Sequence, residues 1–212
     1  MVVNAHDVSD NVRHLQQTQS NLESLVFALA RASEYRDPYT AGHQLNVAHL
    51  ARQIAGHLGL PEGDVRGITL GATLHDIGKI AVPAEILTRP GRLSPVEFEL
   101  VKTHCPVGHD ILSGIDIPWP IADIVLHHHE RLDGSGYPDG LKGEAISLEA
   151  RIVAVADVIA AMASHRPYRP GLGIEAARQE IRKNRCRLYD PAIVDAALAV
   201  TIPDRSIGGS GR

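Results

Sequence analysis

The chain has 212 residues, 44% of them hydrophobic, enough for one substantial buried core and short appendages. A formal net charge of −4 excludes the basic field that would hold a nucleic-acid polymer, but a small anionic ligand in a local pocket remains compatible with it. Two cysteines, Cys105 and Cys186, are too few for a disulfide framework and form no zinc-type pair, which fits a reducing cytoplasm. No apolar run approaches the ~18 residues of a membrane span, and the N-terminus carries no signal-peptide pattern.

The segment Ala5 to Ser9, with the polar stretch after it, resembles the exit strand and linker of a PAS sensor domain. Residues 1–21 are therefore read as a connector, entering a first core helix at Leu22, Leu25, Val26 and Leu29. The connector offers a surface on which two copies could pair, although it lacks sustained heptads. From Ala41 to Leu58 the apolar positions Val47, Leu50, Ala51, Ile54 and Leu58 follow the helical period, with His43 on the same inward face and Gly59 as the stop.

A further helix from about Pro61 uses Val65, Ile68 and Ala72, delivers His75 and Asp76 near its end, and turns at Gly78. Ser94 and Glu97 form a capping box with Pro95 at the first helical position, predicting a helix towards His104 that Pro106 breaks. Ile121, Ile124, Val125 and His128 form the next stripe, and Gly134, Gly136 and Pro138 force an irregular loop. Ser147 caps a strongly apolar helix from Leu148 to Ala163, and Asp190-Pro191 caps a last one through Val194 and Leu198. Strand-like alternation is nearly absent, so the expected fold is all-α, a helical bundle over residues 22–203 with a disordered Gly/Ser tail at 204–212.

Twelve histidines, against two phenylalanines and one tryptophan, call for a chemical explanation. His75-Asp76 at the end of an apolar helix is either an exposed helix end or a polar pair satisfied by a metal. Asp157 stands among almost exclusively apolar neighbours, so its carboxylate requires a cation, a protonated histidine, a metal or an arginine partner.

The order His43, His75-Asp76, Asp157 on separate helices resembles the signature of the HD superfamily of metal-dependent phosphohydrolases. The run from His127 through His128, His129, Glu130, Asp133, Gly134, Gly136 and Tyr137 to Pro138 closely resembles the HHExxDGxGYP hallmark of its HD-GYP subfamily. The flanking pieces Tyr39 to His43, His75 to Lys79, His104 to Gly108, and Asp157 followed by Arg166 and Arg169 agree in order and approximate spacing. The resemblance covers roughly Leu25 to Leu198.

It implies an HD-domain bundle whose two divalent ions, most often iron or manganese, are held by His43, His75, Asp76 and Asp157 and by Asp76, His104, His128 and His129, with Asp76 bridging. It further implies hydrolysis of cyclic di-GMP to linear pGpG or GMP by a metal-bridging hydroxide, in bacterial second-messenger signalling. Lys79 is placed to neutralise a phosphate oxygen, or else is a solvated surface lysine. Gly136, Tyr137 and Pro138 would contact substrate or a GGDEF-domain partner, and Arg166 and Arg169 would clamp a phosphate or a guanine edge. His127 and Glu130 are expected to orient imidazoles rather than ligate.

The chain departs from the family pattern at Asn46, Ala160 and His165, and Tyr39 replaces the glutamate that serves a third metal in some relatives, so two ions are expected. The rival reading is a catalytically weak module that binds a cyclic dinucleotide or a protein partner.

Overall fold

The structure, a computed structural model, describes residues 5–34, 42–89, 91–163 and 172–201. Among these every regular element is a helix, joined by turns and loops, and an isolated bridge links Arg185 and Tyr189. In chain order the helices are α1 (Ala5–Glu34), α2 (His43–His57), α3 (Glu62–Leu74), α4 (Ala84–Leu87), α5 (Pro95–Lys102), α6 (His104–Leu112), α7 (Ile121–His127), α8 (Leu148–Ala163), α9 (Ile174–Lys183) and α10 (Pro191–Ala199). A 3-10 turn at Ile77–Ala81 follows α3, and a shorter one at Gly143–Ala145 precedes α8.

Helix α2 forms because Val47, Leu50, Ala51 and Ile54 recur on one face. That face is fully covered by α3 and α8. Helix α8 is apolar almost all round, as suits an element covered from several sides: α2, α3, α7, α9 and α10 all pack on it. Its Ile152 and Ile159 are fully buried, each contributing roughly 1.5–3 kcal/mol relative to an exposed side chain.

A second, smaller apolar cluster joins Leu70, Leu74, Ile77, Leu112, Ile121 and Val125 beneath α3, α6 and α7. The functional residues lie where the two clusters meet, since α2 and α8 belong to the first while α6 and α7 build the second.

Most expected helices are found near their expected bounds. Ser94 and Glu97 form the reciprocal capping box on α5, and Asp190 accepts from the amides of Ala192 and Ile193 at the start of α10. Three local expectations need correction. Pro106 does not break a helix: α5 ends at Lys102, and Pro106 sits in the first turn of α6, where a missing N–H costs no intrahelical bond. Ala5 to Ser9 are part of α1 rather than a strand. Helix α9 escaped the periodicity reading because Ala177 and Ile181 are its buried side chains on an otherwise polar helix. The Gly/Ser tail lies outside the described residues.

Candidate metal centre

Three imidazoles are fixed by a shared local device. His75, His104 and His128 each direct Nδ1 at the carbonyl three residues earlier, Ala72 (2.7 Å), Val101 (2.7 Å) and Val125 (2.8 Å). Those carbonyls belong to the last turns of α3, α5 and α7, where helix geometry leaves C=O groups without intrahelical donors. A carbonyl only accepts, so each Nδ1 carries a proton and Nε2 is the nitrogen left to offer a lone pair to the interior of the cluster.

The Nε2 atoms converge. His104 and His128 approach to 3.4 Å, His104 Nε2 lies 3.5 Å from Asp76 Oδ1, and His75 Nε2 lies 3.4 Å from Asp76 Oδ2. On the other side His43 Nε2 contacts Asp157 Oδ1 at 3.0 Å, and His75 Nε2 is 3.9 Å from the same oxygen. Donor atoms close enough to share an ion form three overlapping groups: His43, His75 and Asp157; His75, Asp76 and His128; and His104, Cys105, His128 and His129. His75 and His128 each belong to two groups, so the whole forms one continuous cluster.

Long-range packing sets this convergence. At Gly78 a Cβ would stand 1.9 Å from the His104 carbonyl oxygen and 2.5 Å from the Gly108 amide, so the 3-10 turn after Asp76 can lie against α6 only with glycine there. The C-terminus of α1 braces the other side. Ser33 donates to the Asp76 carbonyl (3.1 Å), and the Glu34 carboxylate accepts from the amides of Gly42 and Gln44 on either side of His43 (both 3.2 Å). The sequence reading missed Ser33 and Glu34, because their partners lie in other elements and leave no periodic signal.

The electrostatics favour ligation. Burial opposes charge on Asp76, yet Lys79 and His75 outweigh it and hold the carboxyl well below its usual range; for Asp157 the His43 hydrogen bond does the same. Burial also opposes charge on His75, but Asp76 and Asp157 overcome it and raise that pKa. Burial is the leading cause that pushes His104, His128 and His129 down, His129 to about 3. Ionised Asp76 and Asp157 beside neutral His104, His128 and His129 are the protonation states a divalent cation requires, while at His75 an ion would have to displace the proton that the two carboxylates favour. Neither His75 nor Asp76 is an exposed helix end, since both are buried, and the carboxylate of Asp157 is met by histidines while Arg151 pairs with Asp190 at 2.5 Å.

Lys79 Nζ donates to Asp76 Oδ2 at 2.7 Å with its side chain 16% exposed, which rules out the solvated alternative. Tyr137 turns inward and stacks on His129, with 4.7 Å between ring centroids, while Pro138 next to it is exposed. Glu130 departs from its expected part. Its buried carboxylate accepts from the amides of Asp139 (2.7 Å), Gly140 (3.0 Å) and Leu141 (3.1 Å), gathering the loop instead of orienting an imidazole. His127 pairs with Asp123 and Asp139, 3.0 Å each, and likewise ties the loop to α7.

Cys105, which the sequence offers only as one of two unpaired cysteines, is fully buried with Sγ 3.4 Å from His104 Nε2; burial pushes its thiol pKa up, so it stays protonated. Tyr39, Arg166 and Arg169 lie outside the described residues.

A family model for the HD domain matches residues 6–193. Over 189 residues the chain is 50% identical to the cyclic di-GMP phosphodiesterase response regulator RpfG of Xanthomonas campestris, a match covering 87% of this chain and 49% of that one. Over 168 residues it is 47% identical to a cyclic di-GMP phosphodiesterase of Thermotoga maritima, covering 78% and 46%. Among solved structures, the cyclic GMP-AMP specific phosphodiesterase V-cGAP3 of Vibrio cholerae aligns with a TM-score of 0.55 at 31% identity, covering 85% of this chain and 41% of that one. The HDG"Y"P protein Bd1817 of Bdellovibrio bacteriovorus shares the fold at a TM-score of 0.60 and 21% identity, covering 73% and 50%.

The chain belongs to the HD-domain family, and its Gly-Tyr-Pro loop marks the HD-GYP branch. It spans about half the length of the curated relatives it matches. Among the described residues, no helix is long and apolar enough to cross a membrane.

Proposed function

We propose that this chain is a metal-dependent phosphodiesterase that opens cyclic di-GMP to linear pGpG or GMP. The observation that carries the reading is the gathering of five imidazoles and two carboxylates into one continuous cluster, with three Nε2 lone pairs aimed inward by backbone anchors. His43, His75, Asp76 and Asp157 would hold one divalent ion and Asp76, His104, His128 and His129 a second. The approach of both His75 and His104 to Asp76 supports that carboxylate as the shared ligand. Imidazole and carboxylate donors fit iron or manganese. Bound there, such ions would activate water and stabilise charge on the phosphoryl and leaving oxygens.

The chain's own groups have separate tasks in this reading. The carbonyl anchors keep the imidazoles oriented, with Nδ1 protonated and Nε2 turned inward. Lys79, held beside Asp76, keeps a positive charge at the rim of the cluster where a phosphate oxygen would sit. Gly136 gives the loop its close fold-back, since a Cβ there would lie 2.4 Å from the Glu130 Cα, and this brings Tyr137 over His129 as one wall of the site. Pro138, at the exposed edge of that loop, and Arg166 and Arg169 are assigned to the substrate or a GGDEF-domain partner on the family resemblance.

The identity of the relatives favours cyclic di-GMP, at 50% and 47%. Relatives named 3'3'-cGAMP-specific phosphodiesterases, at 36% and 34%, make the hybrid dinucleotide the second substrate to assay.

The test uses anaerobically purified protein, with metal content measured by elemental analysis and product formation followed by chromatography after loading with Fe(II) or Mn(II). Two ions per chain with release of pGpG or GMP is the expected result. Absence of metal under every loading condition overturns the reading, and turnover of cGAMP alone replaces its substrate.

A further inference from the structure

Helix α5 is tied to the metal centre by its own C-terminus, because its Val101 carbonyl fixes His104. One turn apart on that helix, Phe98 and Lys102 face the Gly-Tyr-Pro loop. The Phe98 ring meets Tyr137 edge-on, with 6.2 Å between centroids and planes at 82°, and Tyr137 in turn stacks on His129. Lys102 Nζ stands 5.0 Å from the Phe98 centroid and 5.4 Å from that of Tyr137.

A file of three rings therefore leads from the cluster to the surface, with an ammonium over the outer two. Its outermost member, Phe98, leaves 44% of its surface to solvent. Lys102 also donates to Glu99 at 2.7 Å, but Glu99 is 68% exposed and such a pair holds its partner weakly. An exposed aromatic face beside a lightly held cation suits a ligand that is both aromatic and anionic.

We propose that Phe98 and Lys102 form the outer half of the substrate site, Phe98 receiving a nucleobase and Lys102 the phosphate that is not being cleaved. The assignment rests on the phosphodiesterase reading above. A cyclic dinucleotide carries two phosphates in one ring, so while one lies at the metal cluster the other and its base must reach outward. The file of rings extends in that direction. This makes α5 a specificity element: it would discriminate a cyclic dinucleotide from a small phosphodiester that needs only the metal centre.

Calorimetric titration of metal-loaded protein with a hydrolysis-resistant phosphorothioate analogue of cyclic di-GMP tests the assignment. Phe98→Ala should weaken binding about tenfold, with the loss appearing in KM rather than kcat when cyclic di-GMP itself is used. Phe98→Tyr should restore it. Lys102→Gln should weaken binding and flatten its salt dependence, while Lys102→Arg keeps both. Metal content and melting temperature should match wild type in all four variants. If Phe98→Ala and Lys102→Gln bind the analogue as tightly as a wild type that hydrolyses cyclic di-GMP, the α5 assignment alone falls. If the wild type binds no cyclic dinucleotide, this assignment and the substrate reading fall together.

Discussion

His75, His104 and His128 each lean on a carbonyl three residues away in the chain, whereas Tyr137 reaches the same cluster on a loop gathered by the side chain of Glu130. The first arrangement is local. Any helix end offers free carbonyls, so a histidine placed there is oriented once the helix forms. The second depends on one buried carboxylate holding three amides that would otherwise lack partners. The site thus joins a floor fixed by secondary structure to a wall fixed mainly by side chains, Glu130 with His127 beside it, and the two should fail differently.

The largest effect is expected at Asp76, the carboxylate proposed to serve both ions. Asp76→Ala should bring turnover to background and lower metal occupancy throughout the cluster, read by elemental analysis beside the activity assay; full activity with metal retained would discard the ligand assignment. Gly78→Ala tests whether the floor depends on the contact between the 3-10 turn and α6. A methyl 1.9 Å from the His104 carbonyl forces the backbone apart, so a stability loss of about 3 kcal/mol in urea titration is expected, together with reduced metal content.

Lys79→Ala should leave metal content at wild-type level while kcat falls about 100-fold, a split that separates charge stabilisation at the rim from ligation. Loss of metal in this variant would show instead that Lys79 mainly organises Asp76. The smallest effect on turnover is expected at the wall. Glu130→Ala should slow turnover by about tenfold with metal retained. It should also destabilise the fold by about 3 kcal/mol, because three amides lose a charged acceptor. Were Glu130→Ala to strip the metal as thoroughly as Asp76→Ala, the distinction between floor and wall would collapse.

The floor was also the more legible part in the sequence. Val47, Leu50 and Ile54, the Ser94 capping box and the Asp190-Pro191 start each announce a helix through neighbours within one or two turns. The polar residues that interrupt those patterns, His43, His75-Asp76 and Asp157, stood out because apolar surroundings penalise them. The wall was less legible. The turn residues around Gly134 and Pro138 marked a loop, but nothing in the order of residues showed Glu130 as its anchor or Tyr137 as turned inward. Phe98 and Lys102 were passed over altogether, and Cys105 was read only as an unpaired cysteine, since their significance lies in what stands across from them.

The sequence by itself determined most of the helices, the residue types available for ligation and the carbonyl within reach of each anchored histidine, because these depend on spacings of three or four residues along one element. Only the tertiary structure decided that the C-terminus of α3, the junction of α5 with α6 and the C-terminus of α7 meet α2 and α8 at one point. That convergence depends on contacts between residues far apart in the chain, down to the absence of a single methyl at Gly78, and such contacts leave no periodic trace for a sequence to carry.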